Sequence, residues 1–106
     1  MPLEANIYDD EDGRLCLTIM PDEDEAAKFE EIGLQGGGYT LEGLYEAIIR
    51  QKEPVLLSSL EIGAEADNMY VYSRKKEDLE KSLALLSSLI SNRSLLEEIV
   101  AQGDIE

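Results

Sequence analysis

The chain has 106 residues, with 24 Asp/Glu against 9 Lys/Arg, a formal net charge of −15 and no histidine. Histidine is the usual proton shuttle near neutral pH and the commonest metal ligand, so most hydrolytic and zinc chemistries are excluded. The acidic field disfavours nucleic-acid and anionic membrane partners and speeds encounter with a basic protein.

The chain opens Met1-Pro2-Leu3-Glu4 and runs into acidic residues, without a basic and then apolar leader. No apolar run approaches the ~20 residues of a membrane span. Cys16 is the single cysteine, so no internal disulfide can form. A cytoplasmic protein of one domain, 1–106, is expected, with 43% apolar residues to build its core.

Ala5–Tyr8 and Arg14–Ile19 read as a hairpin around Glu11-Asp12-Gly13, with Gly13 left-handed. That loop sets Ile7 against Leu17 and Ala5 against Ile19, and puts Tyr8 and Cys16 on the opposite face. Asp22–Ile32 reads as a helix, because Pro21 and an acidic first turn suit a helix start. Ala26, Phe29 and Ile32 share one side, and Gly33 stops it. After Gly36-Gly37-Gly38, Thr40 is expected to cap a helix from Leu41 to about Gln51, with Leu41, Leu44, Tyr45 and Ile48 at amphipathic spacing. Glu53 before Pro54 marks a break.

Leu60–Ala66 and Met69–Tyr72 form a second expected hairpin around Asp67-Asn68. A two-residue turn there pairs Ala66 with Met69, Ala64 with Val71 and Ile62 with Ser73. On the other face it sets Glu65 against Tyr70, Gly63 against Tyr72 and Glu61 against Arg74. A long helix follows over about Lys76–Ile90, with Leu79, Leu83, Leu86 and Ile90 on one stripe, widened by Leu85 and Leu89. Asn92 caps a last helix, Arg93–Gln102, which Gly103 stops. The order is ββαα-ββαα. It predicts an α+β fold: an antiparallel sheet from two β-hairpins, with helices packed on one face.

No constellation carries catalysis or a metal. Placing Gly13 at the glycine of an EF-hand loop puts Tyr8 and Ile19 where carboxylates are required. Gly36-Gly37-Gly38 precedes a helix but lacks the lysine and Ser/Thr of a phosphate loop, and Glu42 would oppose a phosphate. It reads as a flexible turn that lets the next helix fold back. Cys16 has no histidine to activate it and reads as a small buried hydrophobe. No catalytic residue, metal ligand or cofactor is nominated.

What stands out suits a protein partner. Asp9-Asp10-Glu11-Asp12 and Asp22-Glu23-Asp24-Glu25 are dense acidic runs, either solvated turns and helix starts or docking surfaces for a basic protein. Tyr8, Tyr70 and Tyr72 fall on the non-core side of the hairpins, and tyrosine is enriched at interface centres.

The stretch Phe29-Glu30-Glu31-Ile32-Gly33-Leu34-Gln35-Gly36-Gly37-Gly38-Tyr39-Thr40-Leu41-Glu42-Gly43 carries a G-x-G-Y turn that opens a helix. Met69-Tyr70-Val71-Tyr72-Ser73 and the leucine-rich helix pair over Leu79–Val100 follow. Across about residues 14–102 this resembles the Imm51-type immunity proteins of bacterial polymorphic-toxin systems. Relatives tend to carry Asn between the glycines and Asp-Trp after the tyrosine; Gly37, Thr40 and Leu41 stand there here.

The resemblance implies a non-enzymatic antitoxin that binds and blocks a cognate toxin domain. Toxins of such systems are often nucleases, whose basic grooves would attract an acidic inhibitor. The residues nominated for that contact are the two acidic runs with Tyr39, Tyr70 and Tyr72. A homo-oligomer is not indicated. The competing readings are a structural or regulatory interaction module that can self-associate, a nucleic-acid mimic, and a hydrolase using two carboxylates.

Overall fold

Alternation of apolar and polar residues builds two hairpins, and they join through their second strands. A computed structural model of the chain describes residues 3–102 and 105. Strands β1 (Leu3–Asp9), β2 (Leu15–Pro21), β3 (Glu61–Ala64) and β4 (Met69–Ser73) form one antiparallel sheet in the order β1-β2-β4-β3. Helices α1 (Glu23–Glu31), α2 (Gly38–Lys52), α3 (Lys76–Ile90) and α4 (Arg93–Val100) complete the ββαα-ββαα order. A 3₁₀ turn over Pro54–Ser59 occupies the break expected at Pro54.

The first hairpin has the expected register, with Ile7 opposite Leu17, Ala5 opposite Ile19 and Tyr8 opposite Cys16. Gly13 is left-handed with φ +78°, and Asp12 joins it at φ +53°. Asp22 caps α1 by accepting the Glu25 N–H at 2.8 Å. Asn92 likewise caps α4 and accepts the Leu95 N–H at 3.1 Å. The stop expected at Gly103 lies outside the described residues.

One face of the sheet and the helices share a single apolar core. Leu17, Ile19, Met69 and Val71 from the strands pack with Phe29, Leu41, Leu44, Ile48, Leu79, Leu86 and Leu89, and all are essentially inaccessible to solvent. Tyr45 is fully buried among them. Its hydroxyl donates to Ser82 Oγ at 2.6 Å, and Ser82 Oγ donates to the Leu79 carbonyl at 2.8 Å. The polar tip of a core ring is thereby satisfied.

Two expectations are corrected, and both trace to one contact. The second hairpin closes with a four-residue turn, not two. Ala64 opposes Met69, Ile62 opposes Val71, Gly63 opposes Tyr70 and Glu61 opposes Tyr72. Helix α2 starts at Gly38, three residues before Leu41, with Gly37 as its cap. Thr40 lies inside the first turn, where its hydroxyl accepts the Gly36 N–H at 3.0 Å.

The shared cause is the docking of the glycine run on the turn over 65–68. Gly38 N–H donates to the Ala66 carbonyl at 2.9 Å. A Cβ on Gly38 would lie 2.0 Å from the Glu65 carbonyl oxygen and 2.2 Å from that of Asn68. One on Gly37 would lie 2.1 Å from the Ala66 oxygen. The triple glycine is therefore a backbone-to-backbone clamp, not a flexible turn.

Candidate functional site

Strand alternation puts a second set of side chains on the face away from the helices. The registers arrange them in rows across the four strands: Tyr8–Cys16–Tyr72–Glu61 and Asn6–Thr18–Tyr70–Gly63. None of these side chains belongs to the apolar core. Tyr8 is 49% exposed and Met20 39%, while Tyr70, Tyr72 and Thr18 are half-buried by one another. Four strands of a domain this small thus leave one face open.

The tyrosines are positioned by specific neighbours. Tyr70 and Tyr72, two residues apart on β4, meet edge to face with centroids 5.7 Å apart. Tyr70 leans over Gly63, where a Cβ would come within 2.5 Å of the ring. The slipped register makes this possible, because Gly63 now opposes Tyr70 and not Tyr72. Arg14 lies over Tyr72 with its guanidinium carbon 4.2 Å from the ring centroid. Its Nη2 and Nε donate to Asp10 Oδ2 at 2.6 and 2.9 Å, and Nη1 to Glu61 Oε2 at 3.3 Å. The aromatic row is therefore capped by a cation that two carboxylates hold in place.

Cys16 lies in the first row between Tyr8 and Tyr72 and is only 1% exposed. It is buried as expected, though by tyrosines and not by the core. A hydrogen bond with its thiol, followed by its charge and then by burial, pushes the Tyr8 phenol up to about 12. The Tyr72 phenol is also raised, chiefly by burial and then by the charges of Cys16 and Asp10. Both remain neutral hydrogen-bonding groups through the physiological range.

The two acidic runs are not brought together. Asp9, Asp10, Glu11 and Asp12 form the turn at one end of β2, and Asp22–Glu25 start α1 at its other end. The seven-residue strand between them spans roughly 20 Å. Asp9, Glu11 and Asp12 are exposed, while Asp10 is engaged by Arg14. Glu23 and Asp24 are exposed, Asp22 is half-buried as the cap, and Glu25 is 3% exposed. Burial raises the Glu25 carboxyl above the usual carboxylate range, against the attraction of Lys28 Nζ at 3.8 Å. Tyr39, 46% exposed, stands on the first turn of α2. It is on the helical layer and apart from Tyr70 and Tyr72.

Sequence reasoning missed Arg14, Gly63 and the 65–68 turn. Arg14 offered one signal, since it follows the acidic turn directly and must neighbour one of its carboxylates. Among the described residues no group of three or more Cys, Asp or Glu is placed to hold a metal. Glu25 is the one buried carboxylate among them, so no shielded carboxylate pair forms. Among the described residues no helix is long and apolar enough to cross a membrane.

No curated protein and no solved structure matches the chain. The sequence model of the family described as immunity protein 51 does match, over residues 5–105. That span holds both hairpins, the glycine clamp and all four helices, and so the chain belongs to the immunity protein 51 family.

Proposed function

We propose that this protein neutralises a cognate toxin domain without catalysis, by binding it through the open face of its sheet. Tyr8, Tyr70 and Tyr72 form the centre of that contact. The exposed acids of the first turn, Asp9, Glu11 and Asp12, steer a basic toxin toward it; Tyr39 and the acids at the start of α1 lie at its periphery. The observation that carries the reading is the tyrosine row itself. Rigid aromatic rings with neutral polar tips stand on a sheet face that no helix covers. Such rings supply contact area at little cost in side-chain entropy and dominate binding energy where they are found at interfaces.

The field of −15 charges adds a kinetic argument. Long-range attraction raises association rates and falls off as salt screens it. A nuclease, with a basic substrate groove, fits that field best among toxin classes, and a cytoplasmic site of action follows from the same reading.

The test is co-expression of the toxin domain encoded beside this chain, followed by measured association of the purified pair. Growth protected only when this chain is present supports the reading. So does an association rate that falls steeply between low and physiological salt. Continued growth arrest in its presence removes the immunity function, and a salt-independent rate removes electrostatic steering.

A further inference from the structure

The two edges of the sheet differ. Strand β3 is four residues long, whereas β1 runs seven residues in unbroken register with β2. Over Leu3–Asp9 there is no proline, lysine or bulge. Edges of that length are normally blunted by one of those devices, because free backbone groups recruit another strand.

The hydrogen-bond alternation identifies which groups are free. Asp10 N–H donates to the Arg14 carbonyl at 2.8 Å, which makes that pair a hydrogen-bonded one. Counting back in twos, Tyr8, Asn6 and Glu4 exchange bonds with β2, while Asp9, Ile7 and Ala5 turn their N–H and C=O outward. No turn, loop or side-chain hydrogen bond among the described residues reaches those outward groups.

The same stretch borders an apolar groove. Ala5 and Ile7 are only partly buried, and with Leu83 and Ala84 of α3 they line a groove of about 610 Å³ along the edge. Glu80 and Ser87 complete the helix side. The edge therefore offers backbone partners for an extended chain, and the groove offers a place for every second side chain.

We infer that the β1 edge and its groove receive an extended segment of the toxin, which adds to the sheet as a fifth strand. The inference rests on the immunity reading and extends it. Alternate apolar residues of the segment enter the groove, and the intervening ones lie beside Glu4 and Tyr8, continuous with the tyrosine rows. Charge selects the occupant. Glu4 and Asp9 on the strand and Glu80 in the groove favour a segment carrying lysine or arginine. A second copy of this chain would instead bring a further −15 charges and an identical acidic turn against them. Main-chain pairing supplies affinity in such additions, and the side-chain pockets supply specificity.

Amide hydrogen exchange by NMR tests this, with the full chain free and bound to a catalytically inactivated form of the toxin domain encoded beside it. The amides of Ala5, Ile7 and Asp9 are expected to exchange fast in the free chain and to slow by at least about tenfold in the complex, while those of Glu4, Asn6 and Tyr8 are slow in both. Ala84→Arg fills the groove from an exposed helix position that tolerates arginine. It is expected to weaken toxin binding by about tenfold or more with an unchanged melting temperature. A complex in which residues 5, 7 and 9 still exchange fast, or Ala84→Arg that binds normally, overturns the strand addition and leaves the immunity reading standing. No complex with the unmodified chain overturns both. Slowing that grows with the concentration of the free chain identifies a second copy on the edge and overturns the toxin segment.

Discussion

The two faces of the sheet share the same backbone and differ in almost everything else. On the helix side, Leu17, Ile19, Met69 and Val71 are sealed under three helices and belong to one core. On the other side, Tyr8, Tyr70 and Tyr72 lean on one another, on Arg14 and on Gly63, outside the core that the described helices cover. The first face holds the fold together. The second is free to serve a partner, because its outermost side chains, such as Tyr8 at 49% exposure, lie outside the shared core. Stability and binding are thus separable by strand parity, and each expectation below tests that separation.

The largest effect is expected from Leu17→Ala, which leaves a cavity in the shared core and costs about 3–5 kcal/mol. Its neighbour Thr18→Ala, on the open face, should change stability by less than about 0.5 kcal/mol. Denaturant melts of the two variants measure the contrast, and equal losses would erase the distinction between the faces. Next, Gly38→Ala drives a methyl group into two carbonyl oxygens of the 65–68 turn. It should cost about 3 kcal/mol, read in the same melts, through misfit alone and without loss of any side chain. A neutral result would mean that the clamp can loosen.

Smaller effects belong to the open face. Tyr72→Ala removes the contacts with Tyr70 and Arg14 and should cost about 1–2 kcal/mol of stability, well below Leu17→Ala, yet speed toxin dissociation about 30-fold, as measured by surface plasmon resonance. Asp9→Lys with Glu11→Lys should act mainly on association, slowing it by about tenfold at low salt. If the charge reversals changed dissociation instead, those acids would be direct contacts and not steering groups.

The smallest expected effect is at Glu25, an acid buried where its neighbours Glu23 and Asp24 are exposed. Its carboxyl is raised by burial, so the folded chain holds that proton more tightly than the unfolded chain does. The ionised form therefore subtracts stability at neutral pH, and the loss disappears as pH falls through the raised value to below the ordinary range near 4.5. Glu25→Gln should raise the melting temperature slightly at pH 7 and leave it unchanged at about pH 3.5. A gain that persists at low pH would point to a packing cause.

Both hairpins were legible as hairpins, but only one in its register. Asp12-Gly13 is a local signal, since backbone at positive φ is what the turn needs, and Ile7 and Ala5 then fall opposite Leu17 and Ile19. Asp67-Asn68 was an equally plausible turn by the same logic. It lost because Gly38 N–H bonds the Ala66 carbonyl and the glycine run, some thirty residues earlier, packs against the Glu65 and Asn68 carbonyls with no room for a Cβ. The slip is two residues, so every side chain keeps its face and the core was still read correctly. What changed is the cross-strand neighbours: Tyr70 gained Gly63, and Glu61 exchanged Arg74 for Tyr72 and Arg14. The candidate site was legible in its tyrosines and exposed acids, but not in the arginine and glycine that position them.

By itself the sequence determined the α+β class, the paired ββαα order, the parity of every strand and the cap residue Asn92. All of these follow from periodicity and from side-chain chemistry within a few residues. The tertiary structure alone decided the second register, the start of α2, the burial of Glu25 and the separation of the two acidic runs. It also decided that Arg14 lies over Tyr72. Each of these depends on which distant backbone or side chain arrives at the same point, and no local pattern encodes that meeting.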